Sequence, residues 1–139
     1  MDDAALTKEL CAHLAAACGW FFDESGLLVA PAETPVVFYG ELGSTPDEAI
    51  GLWVYGSNDD PETGLAARSL QVRTRGVASR RDGADTLASA CFNSLQGLTQ
   101  VVGISFASRV STARLGADAT GRQERSDNYS IILDNVEAS

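Results

Sequence analysis

"SLQVRTRGVASRRDGADTLASACFNSLQGLT", residues 69–99, is a strand joined to a helix, and its reading decides the fold class. The first part alternates, with Leu70, Val72 and Thr74 on one face and Gln71, Arg73 and Arg75 on the other. Alternation of that kind is the two-residue period of a pleated strand. After Gly76 the period changes. Ala84, Leu87, Ala88, Cys91, Phe92 and Leu95 recur at the i, i+3, i+4, i+7, i+8, i+11 spacing of one buried helical stripe. Ser79 with Asp82 three residues later resembles a capping box, and Gly97 supplies the stop. Arg80 and Arg81 occupy the turn between the two elements.

Upstream, residues 3–18 read as a helix whose stripe is Leu6, Leu10, Leu14 and Ala17, ended by Gly19. Trp20, Phe21 and Phe22 then close that helix onto the core. "APAETP" (30–35) is a connector, because its prolines forbid regular structure. "VVFYGEL" (36–42) and "AIGLWVYGS" (49–57) read as strands, the second rich in β-favouring residues. A polar loop, "NDDPETG" (58–64), leads into the alternating strand. Downstream, "LTQVVGISFAS" (98–108) and "RVSTARLG" (109–116) precede a loop, "ADATGRQERSD", and a closing strand at 128–137. The expectation is a single α+β domain over residues 1–139, ordered α-β-β-β-α-β-β-β. Its sheet is mixed and largely antiparallel, with two helices on one face. The other face, carrying Gln71, Arg73 and Arg75, meets solvent or a partner.

Composition narrows the class. A chain of 139 residues with 45% hydrophobic and 21% charged content is one ordinary globular domain. No apolar run approaches the roughly 20 residues that span a bilayer. The acidic, amphipathic start is unlike a secretory signal, so an intracellular protein is expected. Cys11, Cys18 and Cys91 are an odd, sparse set and read as reduced thiols. Residues 1–62 hold twelve acids against Lys8, a net −11, while residues 63–139 hold nine arginines against seven acids, a net +2. The overall −9 argues against nucleic acid and anionic membrane as partners. The division between the halves reads either as a solvated acidic face or as self-complementarity between copies.

The residue types of a catalytic or metal centre do not assemble in this pattern. His13 is the single histidine, and on a helix it points away from Cys11, so neither a triad nor a Cys-His zinc site has its ligands. Cys91 lies on the apolar stripe, where a thiol is inert. Asp59-Asp60 and Asp23-Glu24 are adjacent acids that read as solvated turn residues. "GADATGR" lacks the lysine of a phosphate-binding loop. No cofactor is expected and no enzyme emerges.

The central stretch resembles the tail terminator proteins of long-tailed bacteriophages, also labelled minor capsid or minor tail proteins. "VYGS" (54–57) is similar to the family's "YGG"-like turn, and "LQVRTRG" (70–76) to its "LQVRVRG"-like strand. "ADTLASACFNSLQGLT" (84–99) is similar to its helix ending, and "GADATGRQERSDNYSIIL" (116–133) to its late loop and closing strand. Thr74 stands where the family usually has an aliphatic residue, and residues 1–44 carry no motif of it. The resemblance implies a non-enzymatic virion protein, assembled in the host cytoplasm. It would form a hexameric ring of itself on the head-proximal end of the tail tube, stop tube polymerisation and dock to the head's connector or stopper protein. In such a ring Arg73, Arg75, Arg80 and Arg81 would meet acids or tube-protein groups across subunits. Gln71, Asp59, Asp60 and Arg122 would share that surface, and the loops at 56–66 and 116–127 would face the partners. Two other readings stay open: a different neck component, or a small-molecule-binding or enzymatic α+β domain with its pocket near Trp53 and Tyr55.

Overall fold

The first helix forms where its period places it. In the computed structural model, which describes residues 2–99, 101 and 103–134, α1 spans Asp3–Cys18. Asp2 caps it by accepting a hydrogen bond from the Ala5 N–H, and Gly19 ends it with φ of 70°. Leu6, Leu10, Cys11 and Leu14 are buried. Ala17 is exposed, and the half-buried Cys18 extends the packed side instead. At 100° per residue each i+4 step drifts by about 40° around the cylinder, which carries the stripe Leu6, Leu10, Leu14 on to Cys18 and not back to Ala17.

Five strands follow: β1 (Val36–Tyr39), β2 (Ala49–Asp59), β3 (Ala66–Ala78), β4 (Ile104–Ala117) and β5 (Arg122–Leu133). The helix α2, Gly83–Leu95, sits between β3 and β4. The sheet order is β1-β2-β3-β5-β4, with β1 parallel to β2 and every other pair antiparallel. This is the α+β class expected, with one strand fewer. Segments 98–108 and 109–116 are not two strands. From Ile104 onward they form one, whose register shifts at 104/106, 109/111 and 114/116 break the two-residue alternation. The stretch expected as a loop up to residue 127 is strand from Arg122, because its charges are compensated in place: Arg122 by Asp118, Arg125 by Asp127. Residues 135–137 of the expected last strand lie outside the described residues.

Both helices pack on the same side of the sheet. Leu6, Leu10 and Leu14 of α1 and Leu87, Cys91 and Leu95 of α2 share one core with Ile50, Leu52, Leu70, Val72, Tyr129 and Ile131. Trp20 and Phe22 pack against its edge. Burying each such aliphatic side chain stabilises the fold by roughly 1.5–3 kcal/mol. The Ser79–Asp82 capping box does not form. Asp82 is itself the N-cap, without a side-chain cap bond, and its carboxylate pairs with Arg80 at 3.0 Å. Ser79 donates its backbone N–H to Gly121 O at 3.1 Å, tying the turn to the β4–β5 hairpin.

Gly76 and Gly83 explain how a helix starts so close to its strand. A Cβ on Gly76 would lie 2.5 Å from the Gly83 Cα, and one on Gly83 would lie 2.9 Å from the Gly76 Cα. Only two facing glycines let β3 and α2 approach this closely.

Candidate functional site

The helix-free face is where side chains remain unspent by the core. β2 places Trp53 and Tyr55 on it, at 52% and 55% exposure. β3 adds the half-buried Gln71 and the exposed Arg73 beside them. The Tyr55 hydroxyl lies 3.3 Å from Asn128 Oδ1, and Arg73 Nε donates to Glu124 Oε1 at 2.9 Å. One groove of about 400 Å³ runs round the sheet edge between Asp3, Thr7, Tyr39, Glu41, Trp53 and Val54. A second, of about 290 Å³, continues across the face between Trp53, Gln71, Arg73 and Glu124. Trp53 is therefore neither core nor enclosed. It is a wall shared by two open grooves.

Arg75 shares the strand face of Arg73 but not its surroundings. It is 4% exposed, because the 40–48 loop folds over it. Its Nε donates to Asp47 O at 3.0 Å, and its Nη2 to Gly43 O and Pro46 O at 2.7 and 2.6 Å. Burial is the main influence lowering its pKa, followed by the nearby charge of Arg122. Arg122 braces the same loop from the other side. It pairs with Asp118 at 2.8 Å and Asp47 at 3.2 Å, and donates to Ser44 O at 2.8 Å. The Arg122 backbone N–H is the largest influence holding the Asp118 carboxyl well below the usual carboxylate range. The two arginines thus build the loop that lines the second groove.

The remaining polar residues sort to the two ends of the sheet. Antiparallel pairing puts the β2–β3 turn at one end and the 79–82 turn at the other. Thirteen residues of β3 separate them, about 40 Å at the rise of an extended strand. The first end is acidic: Asp59 is held by Arg68 at 2.6 Å, and Asp60 Oδ1 accepts the Glu62 N–H at 2.9 Å. The second end carries Arg80, paired with Asp82 two residues on, and the exposed Arg81, which makes no ion pair among the described residues. The structure thus separates the eight residues expected to share one surface into a face (Gln71, Arg73), a loop brace (Arg75, Arg122) and two ends (Asp59, Asp60 and Arg80, Arg81).

A network not read from the sequence lies under α2. Asp127, 1% exposed, accepts from Arg125 Nε at 2.8 Å and faces Arg109 Nη1 at 3.4 Å. Asp85 on α2 takes both Arg125, at 3.1 Å, and Arg114, at 2.9 Å. Burial works to raise the Asp85 carboxyl, but hydrogen bonds from the two arginines outweigh it and keep it below its ordinary value. Arg109 also lies over the Phe92 ring, 4.2 Å from its centroid. Alternating charges on β5 (Arg125, Asp127) were the available signal. They resembled a polar loop because a strand's charged partners are distant in sequence. Among the described residues, no three His, Cys, Asp or Glu side chains gather to hold a metal ion.

This architecture has relatives. The bacteriophage tail terminator protein family matches residues 21–135, which takes in all five strands and α2. The chain belongs to that family. A chain in the virion of a native gene transfer agent particle shares the fold, with a TM-score of 0.61 at 14% identity, covering 94% of this chain and 91% of that one. Among curated proteins none matches this sequence. The family is one of phage tail structural proteins, and its match begins inside the aromatic run at Trp20–Phe22, leaving α1 outside. Yet α1 supplies a large share of the core and one wall of the Trp53 groove.

Proposed function

We propose that this tail terminator closes the head-proximal end of the phage tail tube as a ring of identical copies, of the hexameric size its family resemblance implies. The ring stops tube polymerisation and offers its outer face to the connector or stopper protein of the head. The family match over residues 21–135 carries this reading. The distribution of polar residues supports it. A collar between two different neighbours needs two different axial surfaces, and the ends of the sheet differ: one carries Asp59 and Asp60 with Arg68, the other Arg80 and Arg81 with Asp82, Asp118 and Arg122, about 40 Å apart by strand rise. Arginine suits such a contact because its planar fork pairs with carboxylates in a fixed geometry. Gln71 and Arg73 lie between the ends, while Arg75 and Arg122 set the shape of the loop beside them.

The experiment is electron microscopy of particles from a phage lacking this gene. Overlong tubes or headless tails are expected. Tails of normal length carrying heads would contradict the proposal.

A further inference from the structure

Where one copy would touch the next is carried by the two edges of the sheet. They differ in charge and in what they leave open. On the first side, β1 pairs with β2 only as far as Tyr39 opposite Leu52, so the outer edge of β2 from Trp53 to Asp59 has no strand neighbour. The exposed Tyr39 and Trp53 line the 400 Å³ groove there. Around it stand three acids, Asp3, Glu41 and Asp59, against one arginine, Arg68, which pairs with Asp3 and Asp59. On the opposite side, β4 is the other edge strand, 14 residues long. It contains no acid and two arginines. Its register shifts place Val110 and Leu115 outside the ladder, both exposed. The network behind it holds three arginines (109, 114, 125) for two carboxylates (85, 127), and Arg114 keeps its side chain 73% exposed.

We infer that the β4 edge of one copy docks against the acidic Tyr39–Trp53 side of a second copy of this chain. The inference rests on the ring reading above and specifies its lateral contact. Two unlike patches on opposite edges of one sheet make a heterologous contact, which repeats and closes by rotation. Opposite charges select the pairing of β4 with β2 over β4 with β4. Aromatic residues in an open groove supply the apolar anchors, and two unpaired strand edges bring backbone donors and acceptors that need covering.

The test is native mass spectrometry over a concentration series with three proteins. One is unchanged. One carries Val110→Asp and Leu115→Asp on the β4 edge, and one carries Glu41→Lys and Trp53→Ala on the other side. All four positions are exposed, circular dichroism checks the folding of each protein, and Leu115→Glu alone replaces the first pair should it fail to fold. The unchanged chain is expected to form closed assemblies, and each variant alone to remain a monomer. Mixed, the two variants have one intact junction between them and stop at a heterodimer. Variants that assemble like the unchanged chain would overturn this surface and leave the ring standing. An unchanged chain that stays monomeric at every concentration would overturn this contact as one that assembles the chain by itself, and leave a ring formed on the tube standing.

Discussion

Replacing Arg75 by alanine tests whether this residue is a brace or a surface contact. The side chain is 4% exposed and makes three hydrogen bonds to carbonyls of Gly43, Pro46 and Asp47. Hydrogen bonds from a charged donor contribute about 1.5–3 kcal/mol each, so three of them sum to roughly 5–9 kcal/mol. Two effects oppose this. Holding a guanidinium out of water costs several kcal/mol that the variant no longer bears, and the 43–47 carbonyls sit in a surface loop that water reaches once the side chain is gone. The expected net loss is about 3 kcal/mol, a large part of a total stability of roughly 5–15 kcal/mol. Arg73→Ala is the control. Its pair with Glu124 joins side chains of which Arg73 is nearly half exposed, so its loss is expected to cost at most about 1 kcal/mol. In urea unfolding with a slope of about 1.5 kcal/mol per M, the Arg75→Ala midpoint falls by about 2 M and the Arg73→Ala midpoint by under about 0.7 M. Equal shifts for the two variants, at unchanged slope, would refute the assignment of Arg75 to the loop.

Gly76→Ala is expected to destabilise by on the order of 3 kcal/mol or to prevent folding, since its Cβ meets the Gly83 backbone at 2.5 Å and neither element can retreat freely; soluble yield and thermal unfolding report this. Stability is expected to fall as the solution is acidified below about pH 4. Asp85 and Asp118 have folded pKa values below their unfolded ones, so their contribution is present above the unfolded value and disappears as pH drops through the folded one. Asp118→Asn should flatten the acid side of a plot of urea midpoint against pH, and an unchanged slope would count against the Asp118–Arg122 turn. Thiol titration should separate the cysteines. Burial raises Cys11 to about 12 and pushes Cys91 higher still, so the native protein reacts at the half-buried Cys18 alone and all three react after unfolding. Fast native reaction at more than one thiol would contradict the packing of α1 and α2.

The parts legible in the sequence were those whose signal is local. The stripes Leu6-Leu10-Leu14 and Leu87-Cys91-Leu95 repeat at helical spacing, Gly19 takes the left-handed C-terminal stop, and Leu70-Val72-Thr74 alternates in a regular ladder. Local signal failed where long-range pairing governs. Arg125 and Asp127 sit in a strand because Asp85 and Arg109, 40 and 18 residues away, neutralise them. β4 looked like two segments because its bulges interrupt the alternation. The site behaved likewise. Alternation put Arg73 and Arg75 on one face, which is correct, but nothing near Arg75 announces that the 40–48 loop folds over it. A pocket near Trp53 was one open reading of the sequence, but its walls were not legible, since they come from α1, β1 and β2.

The central claim is that copies of this chain form the collar on top of the tail tube. Cryo-electron microscopy of the intact particle, focused on the joint above the last ring of tube protein, tests it most directly. A closed ring into which this fold fits is expected there, its strand ends pointing up and down and its β4 edges against neighbouring Trp53 grooves. A joint filled by other proteins, with no copy of this chain in it, would contradict it.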